Sequence, residues 1–420
     1  MSGEAADPKN RPPRDESFGK ITEEGIERMR ARIGVEIPQT EPYNEYATTD
    51  SIRHFARGYG DDNPLFTNEA YAKKTRWRHV IAPPTFLVTI GVSEVREIPP
   101  EVRARGAHAL AGVHEFFSGD EWEWFRPIYP GDRLVKRKAL RDVWVKEASQ
   151  FTGERSVIIR YRTDWLNQRG ALVAFYWESY VRAERDAAVK QKKYVEIKRP
   201  QYTEEMVKEI DEAYEREFRR GGATLYWEDV EPGQVLPPIV KGAMKVTDLL
   251  AWVRGFGGGM QAFKLAYFHR KRHPKFYTAN EWGYPDIVER VHWDDVWAQM
   301  IGNPYAYDFG KLRGAFLAQA VTSWMGDEGW LWKMSDQYRA FNYYGDTTWV
   351  KGTVKKKAVT PQGSHIVELE LACENQRGVI TAPGQATVIL PSRVNGPVQL
   401  PAPPPGVEGA RPAPEKTTDE

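Results

Sequence analysis

Two short stretches carry side chains able to move protons. In "YGDDNPLF", Tyr59 to Phe66, Asp61 stands two residues before Asn63-Pro64, a tight turn with a carboxylate at its mouth. In "VHWDDVWAQMIGNPYAYDFG", Val291 to Gly310, His292 is followed by Asp294. An imidazole and a carboxylate facing one water can take and return its protons, which is general acid–base chemistry. Asp294 also suits the cap of the helix after that turn. Asp286 lies six residues before the histidine, with Glu289 and Glu281 as rival carboxylates. "HRKRHPK", His269 to Lys275, reads first as a solvated basic face and second as a contact for phosphates. Its His-x-x-x-His spacing has neither a following glutamate nor a third ligand, so no metal site is expected. In "GFGGGM", Gly255 to Met260, Met260 replaces the third glycine of a dinucleotide fingerprint, and no strand and acidic partner flank it.

The elements that must position these groups come in two similar halves. "TDSIRHFARGYG" (Thr49 to Gly60) is echoed by "TDLLAWVRGFG" (Thr247 to Gly257), each opening on a Thr-Asp helix cap. Gly131-Asp132 starts a β-rich stretch that reaches "NQRG" at Asn167, and Gly345-Asp346 starts another that reaches "NQRG" at Asn375. Strands flank both turns: Val157, Ile159 and Tyr161 alternate with Arg160, Arg162 and Asp164, and Val367, Leu369, Leu371 and Cys373 alternate with glutamates. Each unit is read as a helix, a loop, a second and central helix, and then long antiparallel strands. In the second unit Leu312, Phe316, Ala320 and Trp324 recur every four residues along that central helix. Met206, Ile210, Tyr214 and Phe218 do the same after the capping Thr203, which predicts an amphipathic linker helix. A buried helix wrapped by a long antiparallel sheet is the hotdog arrangement, so the expected fold is α+β, a double hotdog. The expected divisions are a disordered tail over 1–20, a first unit over 21–190, a linker over 191–222, a second unit over 223–394 and a Pro-rich disordered tail over 395–420.

The totals exclude several classes. The 420 residues carry 28% charged side chains and a formal net charge of +1, which argues against a protein built for nucleic acid or an anionic membrane. One cysteine, Cys373, permits no intrachain disulfide and fits a reducing compartment. The first residues, "MSGEAADPKNRPPRDE", have no apolar core and are not expected to be a secretory signal. A cytoplasmic location is expected. The 15 Trp, 20 Tyr and 17 Phe are expected to fill large cores, with a pocket for a bulky ligand as the alternative.

"YGDDNPLF" resembles the signature of MaoC-like (R)-specific enoyl-CoA hydratases and dehydratases, Gly-Asp-x-Asn-Pro-aliphatic-His. Gly60, Asp61, Asn63, Pro64 and Leu65 match, and Phe66 stands where the family has histidine. In the second half His292, Asp294, Ala298, Gly302, Pro304 and Gly310 follow the later part of the same motif, while Gly258 stands where the aspartate belongs and about thirty residues intervene before His292. In the family, aspartate and histidine hold the water, and a backbone N–H at the start of the central helix holds the thioester oxygen. Pro83 and Pro84 fall at that place in the first half and have no N–H to give, whereas Gly310 retains one. The resemblance therefore implies an active second unit, with His292, Asp286 and the Gly310 N–H as its machinery and Asp61 or Asp294 as alternative carboxylates. The first unit is implied to be degenerate and to lend room to the acyl group. The implied reaction is reversible hydration of an enoyl-CoA or dehydration of a 3-hydroxyacyl-CoA. No cofactor is implied, coenzyme A being part of the substrate; no nucleic-acid or membrane partner is expected, and a homo-oligomer such as a dimer is. An acyl-CoA thioesterase and a catalytically silent acyl-CoA-binding subunit are the alternatives.

Overall fold

The computed structural model describes residues 18–39, 41–148, 155–184 and 197–405. The ends of the two expected tails, 1–17 and 406–420, and the start of the linker lie outside those residues. Eleven strands are described: β1 (His114–Trp124), β2 (Val135–Lys146), β3 (Ser156–Leu166), β4 (Leu172–Ala183), β5 (Ile239–Lys241), β6 (Tyr277–Ala279), β7 (Pro285–Ile287), β8 (Trp330–Gln337), β9 (Thr348–Val359), β10 (His365–Asn375) and β11 (Ile380–Ile389). Nine form one antiparallel sheet in the order β2-β3-β4-β1-β8-β11-β10-β9-β5, and β6 and β7 make a small hairpin. The halves meet where β1 pairs with β8. In β10 the buried residues alternate with partly exposed ones, Val367, Leu369, Leu371 and Cys373 facing the core as expected.

The repeat seen in the sequence is a repeat of bonds. Asn167 Oδ1 accepts from the N–H groups of Arg169 and Ala171, and Asn375 Oδ1 accepts from those of Arg377 and Val379. Each turn is tied back to the start of its strands, Gln168 Nε2 donating to Asp132 at 2.9 Å and Gln376 Nε2 to Asp346 at 2.8 Å. The echoed helices, Thr49–Gly58 and Val246–Phe256, pack on each other. A Cβ on Gly58 would lie 3.1 Å from the Ala251 carbonyl, and one on Gly255 would lie 2.7 Å from that of His54. The Arg-Gly pairs thus let two backbones touch.

The halves differ at their centres. The second holds the central helix, Gly310–Met325, buried at every residue from Leu312 onward. In the first half the expected second helix is only a 3₁₀ turn, Pro84–Thr89. Pro83 and Pro84 remove two donors, and the β-branched Thr85, Val88, Thr89 and Ile90 are poor helix formers. One helix therefore serves both halves of the sheet. The expected linker helix is present over Glu204–Glu215, capped by Thr203. The expectation of disorder from Asn395 fails at its start: Val398 is buried, its carbonyl accepts from Arg76 at 2.8 Å, and Asn395 bonds His365. Extended proline-rich chain has lost little entropy on lying down, and Val398 gives it an apolar anchor. No helix among the described residues is long and apolar enough to cross a membrane.

Candidate functional site

The central helix begins abruptly. Phe309 is extended, with φ −78° and ψ 129°, and no side chain caps the first turn. The Gly310 N–H donates in none of the hydrogen bonds of the described residues, leaving a free donor at the positive end of the helix dipole. Asp308, just before the cap, pairs with Arg313 in the first turn, Oδ2 to Nε at 2.9 Å, with both groups buried. These are the positions that hold a hydrophobic staple in other helices, and here the staple is ionic. Arg313 also donates to the carbonyls of Ala340 and Thr381. The angle at which the chain enters the helix, and so the direction of the Gly310 N–H, is fixed from several sides.

His292 lies against this helix start. It ends a 3₁₀ turn, Val288–His292, and its ring stacks on Phe309 with centroids 3.8 Å apart. Nδ1 lies 2.9 Å from the Tyr307 carbonyl oxygen, which can only accept, so Nδ1 carries the proton and Nε2 keeps its lone pair. Burial pulls the imidazole pKa down from 6.5 to about 4, against the two backbone carbonyls that favour its charged form. His292 is thus a neutral base at neutral pH. Tyr344 Oη donates to the His292 carbonyl at 2.5 Å and holds the residue from behind. Arg290, 2% exposed, donates to Thr278, Ala279, Asp286 and Ile287 and pairs with Asp294, binding the β6–β7 hairpin to the turn that carries His292.

The carboxylates fall in different places. Asp286 sits in β7 with Oδ1 on the N–H of Ile287, and no described bond joins it to His292. Asp294 caps the helix Asp295–Met300 through the N–H of Trp297. Glu289 is half-buried, its pKa raised by burial, and its Oε2 has no hydrogen-bond partner among the described residues. Asp308 escaped the sequence reading, because its pairing with Arg313 acquires meaning only once the helix start is known.

Asp61 lies elsewhere. It is 1% exposed, Oδ1 accepts from the Asn63 N–H at 2.9 Å, and Oδ2 accepts from Tyr59 Oη at 3.1 Å. Burial raises its pKa, opposed by the Asn63 N–H and by Lys241, whose ammonium binds the carbonyls of Tyr59 and Gly60. The remaining bonds of this aspartate hold the turn together. Phe66, at the histidine position, lines a narrow cleft of about 40 Å³ with Trp77, Pro83, Pro84, Trp124 and Met325. That volume is far below the roughly 300–1,000 Å³ of small-molecule sites. The cleft meets the C-terminal end of the central helix, about 20 Å along its axis from Gly310. The two halves therefore present two related sites at opposite ends of one helix.

Comparison with known proteins agrees with this architecture. A family profile described as "FAS1-like, dehydratase domain region" matches residues 31–175. A UPF0336 protein of Saccharopolyspora erythraea is 30% identical over 128 residues, covering 30% of this chain and 77% of its own. A UPF0336 protein of Parafrankia is 38% identical over 95 residues, 22% of this chain and 60% of that one. A "Probable enoyl-CoA hydratase alpha subunit" of Thermomonospora curvata is 26% identical over 155 residues, 35% of this chain and 48% of that one. Among solved structures, a MaoC-like dehydratase superposes with a TM-score of 0.58 at 19% identity, over 86% of this chain and 99% of its own. A MaoC domain protein from Chloroflexus aurantiacus gives 0.54 at 11% identity, over 86% and 96%. With its motifs, its repeated halves and its single nine-stranded sheet, the chain belongs to the family of the UPF0336 proteins and has the hotdog fold of the MaoC-like dehydratases, as a fused double hotdog.

Proposed function

We propose that the chain catalyses the reversible hydration of an enoyl thioester, and that the chemistry occurs at the start of the central helix. One observation carries the reading: a neutral imidazole, fixed through Nδ1, stacks on the residue immediately before an uncapped Gly310 N–H. In the hydration direction His292 Nε2 takes a proton from water as the oxygen adds to the β-carbon. The thioester oxygen, gaining charge as the enolate forms, is held by the Gly310 N–H in the field of the helix. Asp286, or Glu289 through its unpartnered Oε2, supplies the second proton-transfer group. Asp61 has no part beyond its turn. The apolar cleft in the first half, about 40 Å³, would take no more than the tip of an acyl chain.

The location of that cleft supports a second reading. It lies beside Phe66 rather than His292, as a catalytically silent, thioester-binding subunit would have it. Crotonyl-CoA and longer or aromatic enoyl-CoA thioesters, assayed by loss of conjugated-enone absorbance, separate the readings. Turnover that His292→Ala lowers about 10²-fold or more supports the hydratase. Release of free thiol indicates a thioesterase, and tight binding without turnover indicates the silent subunit.

A further inference from the structure

The inner face of the first half of the sheet, which has no long helix of its own to cover it, carries a polar band beside the buried rings of Trp122, Trp165 and Tyr176. Cross-strand register places Tyr161, Glu178, Asp120 and Asp336 directly opposite one another across β3, β4, β1 and β8. Lys136 and Lys138, two apart on β2, share that face. Lys311, next to Gly310, reaches it from the central helix. Lys138 Nζ donates to one oxygen of Glu178, and Lys311 Nζ donates to the other at 2.7 Å and to Tyr176 Oη at 2.5 Å. Asp120 accepts from Tyr338 Oη at 2.8 Å, and neither oxygen of Asp336 has a hydrogen-bond partner among the described residues.

The charges do not balance. Glu178 is saturated by two lysines and Arg313 by Asp308. Asp120 and Asp336 face each other, so burial and mutual repulsion both oppose ionising the two together. Of the three ammonium groups on this face, Lys136 is the one without an ion pair among the described residues. Its ammonium lies 5.5 Å over the ring of Trp165 and forms no ion pair among the described residues, although the field of Glu178, already shared by Lys138 and Lys311, reaches it. Burial, with repulsion from Lys138, brings its pKa down to about 8. A half-buried ammonium without a counter-ion is costly, and an arriving monoanion removes that cost.

We propose that Lys136, flanked by Lys138 and Lys311, is the receptor for a carboxylate on the acyl group at the end away from the thioester, so that the preferred substrates are enoyl thioesters of dicarboxylic acids. The inference rests on the hydratase reading, since Lys311 and the Gly310 N–H belong to the same helical turn. A single missing negative charge fits a carboxylate better than a phosphate dianion. The half-buried Tyr161 on the same face suits the apolar body between the two acid ends.

Two arms test it on the full chain. In the first, glutarate is expected to raise the melting temperature of the wild type and to lose that effect in Lys136→Met and in Lys136→Gln, with inorganic phosphate giving no comparable shift. Stabilisation by phosphate equal to that by glutarate, or a glutarate effect that survives both substitutions, overturns the proposal. In the second, kcat/KM for glutaconyl-CoA is divided by that for crotonyl-CoA, which lacks the terminal carboxylate. The ratio is expected to exceed one in the wild type and to fall about tenfold or more in Lys136→Met. An unchanged ratio overturns the carboxylate assignment even where hydration is intact. If neither thioester is hydrated, the hydratase reading fails, and the glutarate arm still decides the anion site.

Discussion

If His292 is a base held neutral by burial, its titration is visible in stability as well as in rate. The imidazole falls from 6.5 to about 4 on folding. Between those values the unfolded chain binds a proton that the native chain does not, so this residue makes stability rise with pH over the window and fall as the solution is acidified from 6.5 toward 4. The shift corresponds to about 2–3 kcal/mol after a discount for partial exposure. The raw pH curve of the wild type will not display it cleanly. Asp120 and Asp308, each raised to about 6 chiefly by burial, act in the opposite sense, losing stability as pH rises through that value.

The comparison needed is therefore wild type against His292→Asn, whose amide can still donate to the Tyr307 carbonyl but does not titrate. Urea unfolding at pH 7 and pH 4 should show the wild type losing about 2–3 kcal/mol more than the variant across that range. Correspondingly, the acid limb of kcat/KM assigned to His292 should lie near 4, well below 6.5. A limb at 6.5 or above, together with parallel stability curves for the two proteins, would show a solvated imidazole and refute the argument from burial.

Gly310→Pro removes the N–H at the first helical position, where proline is otherwise well tolerated and where the extended Phe309 already suits it. Measured against Gly310→Ala, which keeps the N–H and meets Phe117 and Tyr338 in the same way, it should lower kcat a further 10²- to 10³-fold, on the order seen when an oxyanion donor is lost. Asp336→Asn relieves the opposed acid pair. Because burial and Asp120 raise the Asp336 pKa well above its usual range, the wild type loses stability as pH rises, and chemical denaturation should find the variant more stable by about 1 kcal/mol or more at pH 8, with a smaller gain at pH 5. Phe66→His restores the family's missing histidine beside Asp61, yet in a His292→Ala background it should recover no turnover, because Pro83 and Pro84 still offer no N–H; measurable hydration by that double variant would place the reaction in the first half.

The double sheet was legible because its evidence is local. Alternation of period two marks a strand wherever it lies, and the two NQRG turns repeat a side-chain bonding pattern that four residues encode. The shortened first helix was half legible: the proline pair was read as lost catalysis, although the same missing donors also deny the chain a helix. Asp120, Glu178 and Asp336 were invisible as a group, since each looks like one polar residue in an aromatic strand until register sets them side by side. Cross-strand neighbours of high sequence separation are what single-sequence periodicity cannot supply. The partner of His292 stayed open for a related reason: the inserted hairpin is held by Arg290, whose five acceptors are mostly backbone and leave no trace in residue type.

One helix between two motif-bearing halves cannot serve both in the same way. Its N-terminal end offers free N–H groups and partial positive charge, and there His292 stands. Its C-terminal end, at Thr322 to Gly326, offers carbonyls and partial negative charge, and there Phe66, the prolines and the apolar cleft lie. A developing oxyanion is favoured at the first end and opposed at the second. With only a 3₁₀ turn in the first half, a histidine at position 66 would face the wrong pole, whatever Asp61 did. Phenylalanine at position 66 and an Asp61 whose bonds serve its turn both accord with that polarity.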